Sequence, residues 1–63
     1  MSDFKTRLVE EQVQLQDKLS KLKSFIEGDK FESIDDTQKA LLKVQANAMS
    51  TYNQCLKERL ERL

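Results

Sequence analysis

Leu15, Leu19, Leu22 and Ile26 follow one another at steps of four, three and four residues. That spacing lines one side of an α-helix with apolar side chains and fits neither face of a strand. Followed backward, the same stripe passes through Gln12 and Leu8 to Phe4, always at steps of three or four, with Gln12 its one polar member. The chain has no proline and a single glycine, Gly28, so there is one obvious place for such a helix to stop. The pattern predicts a first helix from Asp3 to Glu27, roughly 36 Å long at about 1.5 Å per residue. Ser2 or Asp3 would cap its start. Val9 and Val13 widen its apolar side in the first half.

Gly28 is expected to end that helix as a left-handed cap. Residues 30–34 then form a short connection with room for one helical turn, in which Phe31 and Ile34 fold back on the helix ends. Asp35 reads as the next N-cap, with Gln38 at the capping-box position; Ser33 with Asp36 is an equally legal frame. The second helix should run from about Asp36 to near the C-terminus. Leu42, Gln45, Met49, Tyr52, Leu56, Arg59 and Leu63 make one stripe on it, and Leu41, Val44, Ala48 and Cys55 a neighbouring one. A connection of about seven residues makes the helices antiparallel neighbours. The expected fold is therefore all-α, an antiparallel helical hairpin in a single domain spanning residues 1–63.

A chain this short buries only about 60% of its unfolded surface and usually needs an additional staple. Cys55 is the only cysteine and there is no histidine, so neither an intrachain disulfide nor a zinc site is available. Two stripes on the second helix are more than one partner helix covers. Association into a symmetric homo-oligomer, a dimer or larger, is the expected remedy.

The charge balance narrows the function. Eleven basic and eleven acidic residues leave no net charge, which argues against duplex DNA as a partner. No apolar run approaches the roughly 20 residues that span a bilayer, and residues 1–10 lack a signal-peptide core. A reduced, cytosolic setting is expected. Charge is nonetheless uneven: residues 18–23 hold Lys18, Lys21 and Lys23 with no acid, whereas residues 27–36 are acidic. Without an imidazole base, a Gly-rich phosphate loop or an activated nucleophile, no catalytic constellation is present, and no cofactor is implied. Asp35 and Asp36 read as helix-start residues, and Cys55 as a small hydrophobe.

A few side chains remain as candidates for binding. Phe4 either packs on the second helix or offers a stacking face to a nucleobase, with Lys5 and Arg7 nearby for phosphate. Lys18, Lys21 and Lys23 sit between the stripe residues of the first helix, either as a solvated edge or as one that holds an anion. Arg59 interrupts the second stripe; it snorkels there or faces an anion at a subunit junction. Gln12 and Gln45 are polar at stripe positions, where they either set register or oligomer state or lie at a solvated edge. Tyr52 is expected in the core with its hydroxyl at the rim, and Met49 as filler.

Arg7–Glu10, Leu15, Lys18, Leu19, Lys21, Leu22, Phe25, Ile26, Phe31, Leu41, Leu42, Gln45, Met49, Tyr52, Leu56 and Arg59 together carry a family likeness. In their order and spacing they resemble the small phage proteins grouped with anti-CBASS protein 2, the cyclic-nucleotide sponges. The likeness runs from Phe4 to about Arg62. It implies compact helical subunits assembled into hexamers. Cyclic dinucleotides would lie in pockets between subunits, and in some members cyclic trinucleotides in separate pockets. The signal would be held without being cleaved, in the cytoplasm of the infected bacterial host, so that the defence effector stays off. By the same likeness Phe4 and Lys18 match the dinucleotide pocket, where the family's aromatic is commonly tyrosine; phenylalanine keeps the stacking face and lacks the hydroxyl. Arg59 is the candidate for a trinucleotide pocket. The other reading of the same residues is a helical adaptor that docks on a partner's helices and binds no nucleotide.

Overall fold

The structure, a computed structural model, describes residues 3–63. Its elements are α1 (Phe4–Glu27), α2 (Asp29–Glu32) and α3 (Asp36–Glu61), and among the described residues there is no strand. Helix α1 starts where Asp3 accepts a hydrogen bond from the Thr6 backbone N–H at 2.7 Å. That N–H holds the Asp3 carboxyl below its ordinary range. Ser2, the other cap considered, lies outside the described residues. Helix α3 starts on Asp35, whose carboxylate accepts from the N–H groups of Thr37 at 3.2 Å and Gln38 at 3.3 Å. The Ser33 frame is unused because the Ser33 hydroxyl donates instead to the Lys30 carbonyl at 2.7 Å.

Gly28 does not adopt the expected left-handed cap. Its φ of −90° and ψ of 169° are extended. The chain begins a new helical turn at Asp29, so Gly28 ends α1 and precedes α2, and an extended residue makes that corner. Its N–H still donates to the Phe25 carbonyl at 3.1 Å. A Cβ added there would lie 3.4 Å from the nearest backbone oxygen, in ordinary contact. Gly28→Ala is therefore expected to stabilise the chain by about 0.5 kcal/mol through a less flexible unfolded state. Urea denaturation checks this; destabilisation by a similar amount would mean the corner needs glycine.

The seam of the hairpin is narrow. Among the described residues, Leu8, Leu15 and Leu19 of α1, Phe31 of α2 and Leu56 of α3 are the buried hydrophobic ones. Met49 and Leu60 pack against the Leu8, Leu15 and Leu56 cluster. Phe31 lies under the turn, edge-on to Phe25 with ring centroids 6.2 Å apart. The ammonium groups of Lys39 and Lys43 sit 5.8 and 5.7 Å from the Phe31 centroid.

The inner stripe of α3 differs from the sequence expectation. Leu42, Met49 and Leu56 face α1, but the positions between them are Ala46, Asn53 and Leu60 rather than Gln45, Tyr52 and Arg59. Both sets obey helical spacing. Polar pairing is decisive here: buried Asn53 bonds two glutamines of α1, and Tyr52 is turned outward to 46% exposure. The core tyrosine is thereby corrected to a surface one.

The outcome is a rod 45 × 18 × 14 Å with a radius of gyration of 14.5 Å. A compact chain of this length would have a radius near 11 Å. The hairpin thus leaves much of its apolar surface uncovered, including Phe4, Val9, Val13, Leu41, Val44 and Tyr52.

Candidate ligand-binding face

Helix pairing brings two of the three candidate residues together. The Arg59 guanidinium carbon lies 5.8 Å from the centroid of the Phe4 ring, within cation–π range. Phe4 is 61% exposed, so the ring is not consumed by core packing. One face of an aromatic and a planar cation stand side by side at the open end of the hairpin. Such a pair can stack a base and receive a phosphate oxygen.

Lys18 is placed elsewhere. It follows Phe4 by 14 residues on one helix, which puts it about 21 Å away along the axis. Fourteen residues is close to four full turns, so it stays on the side of α1 that carries Phe4. Asp17 engages Lys21 at 3.0 Å, and Lys39 lies within 4 Å of Glu32 and Asp36. Among the described residues, Lys18 has no such carboxylate partner. Phe4 and Lys18 therefore cannot meet one small ligand within a single chain. Among the described residues the hairpin encloses no cavity and gathers no metal-ligating cluster.

The register that sets this geometry comes from polar residues. Gln12 Nε2 donates to Asn53 Oδ1 at 3.1 Å, and Asn53 Nδ2 donates to Gln16 Oε1 at 2.8 Å. Gln16 Nε2 continues to the Ser20 hydroxyl at 3.2 Å. Gln12 is thus a seam residue, as its position suggests, but its partner is Asn53. Gln45 stays on its own helix, 3.9 Å from the Met49 sulfur. Asn53 escaped the sequence reading because Tyr52 filled the same stripe position with an apolar residue. Cys55 is exposed.

The structure defines an all-α hairpin whose uncovered side presents aromatic and cationic groups. A family model described as Sequestin matches residues 2–62, and the chain belongs to the Sequestin family. The family's name denotes sequestration of a ligand, in keeping with the sequestering phage anti-CBASS group that the sequence resembles. Comparison with curated proteins and with solved structures found no match.

Proposed function

We propose that this Sequestin hairpin is a phage-encoded sponge for cyclic oligonucleotides. It binds cyclic dinucleotides, and cyclic trinucleotides at a separate pocket, and holds them without cleavage. CBASS effectors in the cytoplasm of the infected host are then starved of their signal. The observation that carries the reading is the exposed Phe4 ring with Arg59 at 5.8 Å, on the side of the hairpin that also bears the unpaired Lys18. Each stacked base contributes about 1–3 kcal/mol, and phosphates require convergent cations.

Because Phe4 and Lys18 stand so far apart in one chain, the pocket is built between copies. One copy supplies the aromatic and another the lysine, within the hexamer that the family likeness implies. Lys18→Ala is expected to weaken cyclic dinucleotide binding at least tenfold, about 1.4 kcal/mol, and to leave the helices and the assembly intact. Equilibrium dialysis against a labelled cyclic dinucleotide, with circular dichroism as the control for folding, measures this. An unchanged affinity would remove Lys18 from the pocket. Recovery of intact nucleotide after long incubation and removal of the protein separates a sponge from an enzyme; appearance of a linear product would reject the sponge. The exposed α3 side chains favour a second reading, a protein-binding adaptor, which predicts no nucleotide affinity at all.

A further inference from the structure

Phe4 and Arg59 form an aromatic–cation pair across the two long helices, the ring from α1 and the cation from α3. The helical repeat places a second such combination further along the same side. Tyr52 precedes Arg59 by seven residues, close to two turns, so it shares the Arg59 side of α3. Lys18 follows Phe4 by fourteen residues, close to four turns, on the matching side of α1. Here α1 gives the cation and α3 the ring.

The register brings these two side by side. Asn53 bonds both Gln12 and Gln16, which sets it about level with Gln14. Tyr52 then stands level with Leu15, and Lys18 lies three residues nearer the turn, about 4.5 Å along the axis. Both side chains are exposed. Packing does not call for an aromatic at position 52, because the Leu8, Leu15 and Leu56 cluster, with Met49 and Leu60, closes the seam without it. Phe4 is out of reach of Lys18 within one chain, so Tyr52 is the aromatic that Lys18 has beside it.

We propose that Tyr52 is a ligand-contacting residue: its ring stacks one base of a cyclic dinucleotide while Lys18 of the same copy meets an adjoining phosphate. The inference deepens the proposed function and rests on it. Every nucleobase has a π-face, so the ring and not the hydroxyl carries this contact. Phe4 of another copy remains the aromatic for the second base.

Two variants and one signal of the unaltered protein test this. In equilibrium dialysis, Tyr52→Leu is expected to weaken binding of a labelled cyclic dinucleotide at least tenfold, whereas Tyr52→Phe stays within twofold of the unaltered chain. Circular dichroism and sedimentation establish that both variants fold and assemble normally. Tyr52 is the only tyrosine and there is no tryptophan, so the intrinsic emission comes from this one ring. It should be quenched by the cyclic dinucleotide with the midpoint found by dialysis, with free tyrosine as the inner-filter control. Full affinity in Tyr52→Leu, unquenched emission at saturation, or loss of assembly in Tyr52→Leu would overturn the proposal and leave the sponge standing. An unaltered chain that binds no cyclic nucleotide would reject the sponge and this contact with it.

Discussion

Leu56→Ala is expected to lower the melting temperature by about 15 °C. Among the described residues Leu56 is the one large side chain with no exposed surface, and it sits against Leu8, Leu15, Met49 and Leu60. Removing three carbons from a fully enclosed site loses their transfer energy and leaves a cavity, about 3 kcal/mol together. For a domain of this size each kcal/mol shifts the midpoint by about 4–8 °C. Total stability for such a length is about 3–9 kcal/mol, so one truncation removes a large share. Val13→Ala, at 57% exposure, should change stability by less than about 0.5 kcal/mol. Thermal denaturation followed by circular dichroism compares them. A shift below 3 °C for Leu56→Ala would mean that the seam is not where stability resides.

Asn53→Ala is the second large effect, expected to cost about 2 kcal/mol. Its side chain is 4% exposed and satisfies Gln12 and Gln16 at once. Truncation leaves one amide donor and one amide acceptor half-buried without a partner, a penalty of about 1–3 kcal/mol. Since Gln12 depends on the same bond, Gln12→Ala and Asn53→Ala should be non-additive. The double variant is expected to lose at least 0.5 kcal/mol less than the sum of the singles. Urea denaturation of the four proteins completes the cycle. Strict additivity would show that the glutamine–asparagine bond contributes nothing beyond its separate side chains.

Much of the hairpin was legible in the chain. The stripe from Leu8 to Ile26, the break at Gly28 and the caps Asp3 and Asp35 are local features, and local spacing and hydrogen bonding decide them. The side that α3 turns to α1 was not. Tyr52 and Asn53 are neighbours, both positions fit a helical stripe, and hydrophobicity favours Tyr52. Only the partner helix, with Gln12 and Gln16 waiting opposite, makes the polar residue the inner one. The shape of Gly28 was missed for a related reason: α2 follows at once, and its start dictates an extended corner.

The candidate residues were legible one by one, but their arrangement was not. Phe4 and Arg59 are 55 positions apart, and nothing short of the helix register brings them within 5.8 Å. Phe4 and Lys18 lie on one helix, where proximity in sequence suggests a common pocket and helical rise denies it within one chain.

The central claim is that the chain sequesters a cyclic oligonucleotide. The measurement that tests it most directly is thermal unfolding of the intact protein with a panel of cyclic di- and trinucleotides, with linear dinucleotides as controls. A ligand that binds only the folded state at 100 times its Kd adds about 2.7 kcal/mol. In so small a domain that corresponds to a shift of about 10–20 °C. The account predicts such a shift with at least one cyclic ligand and none with the linear controls. A folded protein whose midpoint is unmoved by every cyclic ligand, at concentrations reaching the millimolar range, would contradict it.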